Sequence, residues 1–327
     1  MNAIETMDLT KKFGSLIAVD NVNLKVKEGE IFGLLGPNGA GKSTTISMLC
    51  TIMKPTSGTA KVNGYDIVHE PSQVRRSIGI VFQDPSIDDK LTGRENMEMH
   101  ADLYDVQRDV MHSRIDEVLQ LVELEDRASD YVNTYSGGMR RRLEIARSLI
   151  HYPRVLFLDE PTLGLDPQSR DHIWSYIRDL KERENITIIL TTHYMEEADE
   201  LCDRIAIIDK SRIIAMDTPH NLKEELEGEI IILQTNNNDR LVDKLLETDL
   251  ADITEINGEL NLKVKNAHTA LPRIVELAVS NGVYVESISI REPHLDDVFM
   301  HFTGREIRDT GGKALTGMGA RIRGSLK

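Results

Sequence analysis

Short apolar runs bounded by polar residues recur through the first two-thirds of the chain. Three of these runs, Ile31–Leu35, Val155–Leu158 and Ile186–Leu190, are dominated by aliphatic side chains. Runs of this length and composition are typical of strands that are buried on both faces of a parallel sheet. Because helical patterns separate them, the chain is predicted to form an α/β domain with a largely parallel sheet.

The pattern changes between residues 85 and 150, where apolar residues fall at helical spacing, as at Val118, Leu121 and Val122. This spacing places such side chains on one face of a helix. We therefore predict a mostly helical insert at residues 85–150, inside a domain that covers residues 1–220.

The composition changes again near Pro219. Residues 229–303 show the order β-α-β-β-α-β, with Asn257-Gly258 as a turn signal between the two central strands. This order predicts a small ferredoxin-like α/β module. Residues 304–327 are rich in glycine and basic residues, which favours a flexible basic tail, with a weak contact to anionic lipid as the alternative.

Charge and composition exclude several classes of protein. The formal net charge is −15, which argues against nucleic acid as the main ligand, because such binding depends on lysine and arginine neutralising phosphates. The N-terminus has no basic stretch followed by an apolar run, so we expect no signal peptide. No apolar run approaches about 18 residues, so we expect no membrane span. The two distant cysteines, Cys50 and Cys202, are interpreted as small buried residues.

A glycine-rich segment between a predicted strand and a predicted helix matches the phosphate-loop pattern G-x-x-x-x-G-K-[ST]. Glycines let phosphates approach the backbone, and the N–H groups at the helix N-terminus bind their oxygens. A glycine-rich turn that binds nothing is the alternative, but the complete motif in this context favours nucleotide. The predicted ATP-binding residues are Gly36, Pro37, Asn38, Gly39, Ala40, Gly41, Lys42, Ser43 and Thr44.

Two acidic residues, Asp159 and Glu160, follow the predicted buried strand Val155–Leu158. Open α/β sheets bind ligands at the carboxyl edge of their strands, where the phosphate loop also lies. We expect Asp159 to hold Mg²⁺ and Glu160 to polarise the attacking water. An acidic pair alone is usually a solvated loop, but the phosphate loop favours the functional interpretation.

A second glycine-rich element, Tyr135–Met139 (YSGGM), precedes the arginine-rich stretch RRRLEIARSL. A serine hydroxyl and glycine N–H groups at a helix N-terminus can bind phosphate, although an ordinary serine N-cap looks the same. Together with the preceding motifs, this element resembles the signature of the ABC ATPases, which usually reads LSGGQ. The resemblance implies that Ser136, Gly137 and Gly138 close over ATP held by a second subunit. Met139 departs from the usual glutamine and cannot make its polar contacts.

Four further positions resemble motifs of the same family, in the expected order. The resemblance implies that Phe13 stacks on adenine, where the ring keeps the π face of the commoner tyrosine. Gln83 in VFQDP resembles the Q-loop, and His193 in TTHYMEEAD resembles the switch histidine. Asp166 in Gly-Leu-Asp resembles the D-loop and is implied to lie at the bound nucleotide.

The resemblance also implies a fold and a set of ligands. The fold is a P-loop NTPase of the α/β class, with a RecA-like core, an antiparallel β subdomain and an α-helical subdomain. The ligands are ATP and Mg²⁺. The implied metal residues are Ser43, Gln83 and Asp159, and the implied catalytic residues are Glu160, His193 and Gln83.

Three longer segments, LTGRENM, TYSGGMRRRLEIA and REPHLDDVFMHFTGR, resemble the daunorubicin-resistance type of ABC exporter ATPases. This resemblance covers the chain to about residue 305. It implies an ATP-hydrolysing subunit that sits on the cytoplasmic face of a membrane and powers export of a drug, lipid or polysaccharide. Its implied partners are a separate transmembrane permease and a second copy of itself, or a paralogue, in an ATP-sandwich dimer.

Two alternatives stay open at this stage. A soluble ABC ATPase acting on nucleic acid or ribosomes usually has two fused cores or a long coiled coil, whereas this chain has one phosphate loop and no sustained heptads. An importer ATPase with a C-terminal ligand sensor is the other alternative, and the LDDVF segment disfavours it. The C-terminal module could stabilise the dimer, shield the nucleotide site or contact the permease.

Overall fold

The computed structural model describes residues 1–304, with the exception of residues 227, 249 and 257. The predicted tail at 304–327 therefore lies outside the described residues apart from Gly304, and so does Asn257 of the predicted turn. The chain divides into two compact units, Met1–Thr218 and Pro219–Lys327. No helix among the described residues combines the length and the apolar character that crossing a membrane requires.

The first unit contains a six-stranded sheet in the order β11-β10-β4-β9-β8-β7. All neighbours in this sheet are parallel except the hairpin of β10 and β11. Every residue of β4, β8 and β9 is buried, which confirms the prediction of strands covered on both faces. The strands are β4 (Ile31–Leu35), β7 (Ile78–Val81), β8 (Val155–Asp159), β9 (Thr187–Thr192), β10 (Arg204–Asp209) and β11 (Arg212–Asp217).

A second, antiparallel sheet of the first unit begins the chain, in the order β2-β1-β5-β6 with β3 paired to β1. Its inward side chains join those of the parallel sheet in one core, where Ile4 and Val62 pack in the same cluster as Phe32 and Phe157. The strands are β1 (Asn2–Phe13), β2 (Leu16–Val22), β3 (Lys25–Lys27), β5 (Ser57–Val62) and β6 (Tyr65–Asp66).

Helices of the first unit follow or cover the parallel strands, and three of them, α3 to α5, lie between β7 and β8. One face of each of these helices is buried, with Met97 on α3, Val118 on α4 and Leu143 on α5 among the buried apolar residues, as helical spacing predicts. The helices are α1 (Lys42–Leu49), α2 (Pro71–Ser77), α3 (Gly93–Leu103), α4 (Arg108–Leu121), α5 (Gly137–Ser148), α6 (Pro167–Glu184) and α7 (Met195–Leu201).

A fully buried arginine on α4 joins this helical region to its neighbours. Arg114 donates to the main-chain oxygen of Leu149 at 3.1 Å and pairs with Glu117 at 2.9 Å and Glu184 at 3.4 Å. Its guanidinium also lies 4.0 Å from the ring centroid of Tyr152. A buried charge needs such partners, so Arg114 fixes the position of α4 against α5 and α6.

The second unit has an antiparallel four-stranded sheet in the order β13-β14-β12-β15, with its core between the sheet and helices α9 and α10. The order of its strands and helices is the predicted ferredoxin-like one. Short helices precede and follow this module. Its elements are α8 (Pro219–Glu224), β12 (Glu229–Thr235), α9 (Asn238–Leu245), β13 (Asp252–Ile256), β14 (Glu259–Val264), α10 (Ala267–Ser280), β15 (Val285–Arg291) and α11 (Leu295–Thr303).

Helix α3 begins with a capping box that sets the start of the helical region. The Thr92 hydroxyl accepts from the Glu95 N–H, and the Glu95 carboxylate accepts from the Thr92 N–H. We expect Thr92→Ala to lower the free energy of unfolding by about 1 kcal/mol, because the backbone N–H of Glu95 loses its acceptor. Ser113→Ala on the exposed face of α4 is the matched control, with an expected change of less than about 0.5 kcal/mol. Urea unfolding would measure both, and equal effects would contradict the role of the cap.

Candidate nucleotide site

The parallel register brings the predicted site residues to one edge of the sheet. Leu35 at the end of β4 pairs with Thr192 of β9, and Asp159 at the end of β8 pairs with Thr191 of the same strand. Because parallel strands end at the same edge, the phosphate loop after β4 lies beside the acidic residues of β8.

Two glycines of the phosphate loop are required by the space around them. A Cβ atom on Gly36 would lie 2.2 Å from the oxygen of Ile208, and one on Gly41 would lie 2.3 Å from the oxygen of Ala18. Gly41 also has a φ of 108°, in the left-handed region that a side chain disfavours. The loop therefore follows a backbone path that larger residues cannot adopt, and it leads directly into the N-terminus of α1.

Lys42 is the first residue of α1, and its side chain turns back toward the loop. Its Nζ donates to the oxygen of Gly36 at 2.7 Å and lies 3.4 Å from Oε1 of Glu160. Burial lowers the pKa of Lys42, while the charges of Glu160 and Asp159 oppose that shift. The ammonium group is thus held between the loop and the carboxylates that follow β8.

Oxygen atoms that suit a hard divalent cation meet at Asp159. Its Oδ1 accepts hydrogen bonds from the Ser43 hydroxyl at 3.0 Å and from the Thr191 hydroxyl. Among the described residues, no group of three or more His, Cys, Asp or Glu side chains could form a metal cage. One carboxylate with one hydroxyl fits Mg²⁺, which is usually bound by few protein ligands together with substrate phosphates.

Glu160 adopts a backbone conformation that is uncommon for a residue with a side chain. Its φ is 48°, and its N–H donates to the main-chain oxygen of Thr191 at 3.2 Å and to the Thr191 hydroxyl at 3.0 Å. Oε2 of Glu160 lies 3.2 Å from Nδ1 of His193. A strained backbone conformation persists only where surrounding contacts hold it in place. Here the contacts with Thr191 on β9 and with His193 after it hold Glu160.

The ionisation of Glu160 reflects two opposing effects. Burial raises the pKa of its carboxyl group, but the hydrogen bond with His193 and the charge of Lys42 outweigh burial, so the pKa lies below its ordinary value. At neutral pH the group is therefore a carboxylate. A carboxylate can accept a proton or a hydrogen bond from water, which the predicted role requires.

The signature element lies at the N-terminus of α5. Ser136 is the N-cap, and its hydroxyl accepts from the N–H of Met139 at 3.2 Å. Gly137 and Gly138 are the first residues of the helix, and a Cβ on Gly138 would lie 3.0 Å from the Ser169 hydroxyl. Ser136 and Gly137 are exposed, so this positive helix end is open to a ligand.

Asp166 lies with the signature element rather than with the phosphate loop. It caps α6, accepting from the N–H of Ser169 at 3.0 Å and from its hydroxyl at 2.7 Å. These hydrogen bonds lower the pKa of Asp166. Among the described residues, no hydrogen bond or ion pair joins Asp166 or Ser136 to the phosphate loop. The structure therefore brings the predicted residues together as two separate groups.

The two remaining predicted residues, Phe13 and Gln83, are exposed. Phe13 ends β1, is 46% exposed, and has Nζ of Lys11 at 5.3 Å from its ring centroid. Gln83 follows β7, whose last residue Val81 pairs with Leu158 of β8, so it lies near the edge that carries Asp159. Their roles on adenine and on the metal stay predictions.

Sequence reasoning missed a buried link behind Glu160 and His193. Oε1 of Glu197 accepts from the hydroxyl of Thr162 at 2.7 Å and from Nε1 of Trp174 at 3.0 Å. It thereby ties α7, which follows His193, to the segment after Glu160. Sequence reasoning also missed Thr191, for which the two threonines that follow the aliphatic run Ile188–Leu190 were the available signal.

The fold and the site define a P-loop nucleoside triphosphatase that carries a second, signature-type phosphate cradle. Comparison with known families identifies it further, and the chain belongs to the ABC transporter ATP-binding proteins. The ABC transporter family matches residues 19–163, and the family "ATP-binding protein DrrA1-3-like, C-terminal domain" matches residues 218–303. The predicted ABC-type fold, ATP binding and ATPase activity are thereby confirmed.

Characterised relatives match almost the whole chain. The daunorubicin resistance ATP-binding protein DrrA2 of Streptomyces coeruleorubidus is 40% identical over 95% of this chain and 98% of its own. The linearmycin resistance ATP-binding protein LnrL of Bacillus subtilis is 39% identical over 94% of this chain and 100% of its own. The Nod factor export ATP-binding protein I of Cupriavidus metallidurans is 40% identical over 94% of this chain and 100% of its own.

Solved structures match the first unit. A dimeric ATP-binding cassette in a post-hydrolysis state with ADP and Pi shares 30% identity at a TM-score of 0.59, over 66% of this chain and 98% of its own. CbiO1 from Clostridium perfringens, part of an ABC transporter complex, shares 29% identity at a TM-score of 0.64, over 69% of this chain and 93% of its own. ABC cassettes similar to this chain therefore bind adenine nucleotides and form dimers.

The lowered pKa of Glu160 predicts a pH dependence of stability. A carboxyl group whose pKa is lower in the folded state stabilises that state at neutral pH, and the contribution is lost as pH falls through that pKa. We expect the melting temperature of the wild type to exceed that of Glu160→Gln most near neutral pH. We expect this difference to decrease as the pH falls below about 4. Calorimetry of both proteins from neutral pH to values well below about pH 4 would test this expectation. A difference that does not change with pH would contradict the assigned ionisation.

Proposed function

We propose that this protein is the ATP-hydrolysing subunit of an exporter and that it powers a separate permease from the cytoplasmic face of a membrane. The observation that carries the proposal is the cluster of Lys42, Asp159, Glu160 and His193 at one sheet edge beside the phosphate loop. The names of the relatives, which refer to drug resistance and export, support the direction of transport and a cargo of the drug, lipid or polysaccharide class.

Each residue of the site has a role in this proposal. The loop from Gly36 to Thr44 binds the phosphates of ATP, and Lys42 neutralises the β- and γ-phosphates. Ser43, Asp159 and Gln83 hold Mg²⁺, which when bound neutralises charge on the phosphates. Phe13 stacks on the adenine ring.

Hydrolysis depends on the carboxylate of Glu160. As an ionised group beside the phosphate loop, it orients the attacking water and accepts a hydrogen bond from it. His193, 3.2 Å from that carboxylate, holds it in place. Phosphoryl transfer needs positioning and charge stabilisation more than covalent chemistry, so this arrangement is sufficient for the reaction.

The signature element completes the site of a second subunit. The exposed N-terminus of α5, with Ser136, Gly137 and Gly138, binds the phosphates of ATP held by another copy or a paralogue, and Asp166 lies at the same interface. The separation of these residues from the phosphate loop of their own chain supports this reading. The dimeric cassette among the similar structures supports it as well.

The helical region supplies the contact with the permease. Leu103 on α3 is 73% exposed, and Met99 on the same helix and Val110 on α4 are also exposed. Contiguous exposed apolar patches mark interaction surfaces, and the proposal takes these three side chains as parts of one such patch. The segment of Gln83 connects β7 to this region, so movement at the nucleotide can reach the permease. In this arrangement the permease selects the cargo, and nucleic acid is not a partner.

Replacement of the proposed catalytic carboxylate tests the chemistry. We expect Glu160→Gln to bind ATP with unchanged affinity, to lose at least about 100-fold in kcat and to accumulate as an ATP-dependent dimer, because the neutral glutamine amide cannot accept a proton from the attacking water. Lys42→Ala, which lacks the phosphate-neutralising charge, is the contrasting variant, expected to lose tight ATP binding. Turnover, calorimetric ATP titration and gel filtration measure these effects. Normal turnover in Glu160→Gln would remove Glu160 from its role.

Capture of the partner tests the transport assignment. We expect tagged Glu160→Gln with ATP to recover a multi-spanning membrane protein from detergent-solubilised membranes of its own host. The control is Glu160→Gln combined with Leu103→Asp, which places a charge on the proposed permease surface and is expected to lose that protein while it still dimerises. Mass spectrometry identifies what is bound. Recovery of only ribosomes, nucleic acid or soluble proteins would contradict the transport function.

A further inference from the structure

Arg141, on the signature helix α5, is buried against the main chain of the catalytic strand. It is 7% exposed, and its guanidinium donates to three consecutive carbonyl oxygens. The distances are 3.0 Å to Asp159, 3.0 Å to Glu160 and 2.8 Å to Pro161. This side chain therefore holds the backbone of Glu160 from the side opposite to β9.

The same guanidinium also holds the segment that contains Gln83. It donates to the main-chain oxygen of Phe82 at 2.6 Å and to the Glu144 carboxylate at 3.0 Å. The other oxygen of Glu144 accepts from the N–H of Ser86 at 2.7 Å. The buried pair of Arg141 and Glu144 thus holds both ends of the segment from Phe82 to Ser86.

The chemistry of arginine suits this position. All five N–H groups of Arg141 have an acceptor: Nε one, Nη1 two and Nη2 two. Only a planar guanidinium presents five donors in fixed directions, whereas lysine has three on one rotating group. A buried ion pair carries a desolvation cost that hydrophobic residues would avoid, so its net value for stability is small.

We propose that Arg141 is a positioning residue that fixes Glu160 and the Gln83 segment relative to each other for ATP hydrolysis. The inference rests on the proposed catalytic roles of Glu160 and Gln83. The left-handed backbone of Glu160 is held through its N–H by Thr191 and through its carbonyl by Arg141. Loss of one support lets the carboxylate move, and displacements of about 1 Å from productive geometry cost large factors in rate.

The neighbouring Arg142 provides a matched comparison on the same helix. It is also largely buried, and its Nη1 donates to the oxygen of Val122 at 2.9 Å and to the hydroxyl of Tyr176 at 3.0 Å. These partners belong to the helical region and to α6, and none is on the catalytic strand. Arg142→Lys therefore reproduces any effect that comes only from weaker packing of α5.

The test compares Arg141→Lys, Arg141→Gln and Arg142→Lys for kcat, KM, calorimetric ATP affinity and melting temperature. We expect the Arg141 variants to lose about 10- to 100-fold in kcat, with ATP affinity changed by less than about threefold and the lysine variant the more active. Arg142→Lys is expected to lower the melting temperature without changing kcat per ATP-binding molecule. Wild-type kcat in the Arg141 variants, or an equal loss in Arg142→Lys, would overturn the proposal.

Two further variants keep the result decisive. Glu144→Gln keeps the size of the side chain and removes its charge, and we expect a smaller loss in kcat with unchanged ATP affinity. If the Arg141 variants do not fold, Glu144→Gln still tests the proposal, because a wild-type kcat in Glu144→Gln would overturn it. Arg141→Lys in the Glu160→Gln background is expected to cause a smaller loss in kcat than in the wild type, since part of the effect of Arg141 passes through Glu160, and a loss of the same size in both backgrounds would overturn the proposal.

Comparison of the two single variants separates this inference from the proposed function. If Glu160→Gln is inactive but Arg141→Lys has the wild-type rate, the positioning role fails and the catalytic role of Glu160 stands. If Glu160→Gln turns over normally, the proposed function of Glu160 fails, and the positioning role that rests on it fails with it.

Discussion

The contact between Lys42 and Glu160, two charged groups buried at one edge of a parallel sheet, is the constraint around which the first unit is arranged. Neither charge is stable alone away from water, so each needs the other and further polar partners. His193, which follows β9, lies beside the carboxylate of Glu160, and the main-chain oxygen of Gly36 accepts from the ammonium group of Lys42. The phosphate loop, β8 and β9 must therefore meet at this edge, and the parallel register is what brings them together.

The strands explain why the site is both rigid and exposed to a ligand. β4, β8 and β9 are buried on both faces, so their positions are determined by a continuous apolar core, and their ends project the polar residues. Glycines then remove side chains where the loop passes the oxygens of Ile208 and Ala18. Rigidity comes from burial and access comes from the missing Cβ atoms, which together allow phosphates to contact backbone N–H groups.

The helical region adds the second half of the chemistry. Its helix α5 presents the signature element at one end, while Arg141 in the next turn contacts the catalytic strand. In the proposed function, one helix thus carries residues for the nucleotide of a second subunit and contacts for the carboxylate of its own. In a dimeric ATPase this arrangement links the two sites through a single rigid element, which is a physical basis for concerted action.

The sequence by itself determined the fold class and the strands of the core, and it predicted the residues of the phosphate loop. Local chemistry carries that information: buried strands are apolar runs, and a phosphate loop needs glycines at regular spacing. Only the tertiary structure decided that Asp166 caps α6 beside the signature, and that Thr191, Arg141 and Glu197 support the catalytic residues. Arg141 binds mainly main-chain oxygens, and every residue type carries those oxygens. Contacts of this kind depend on which segments the fold brings together, so no pattern of side chains along the chain predicts them.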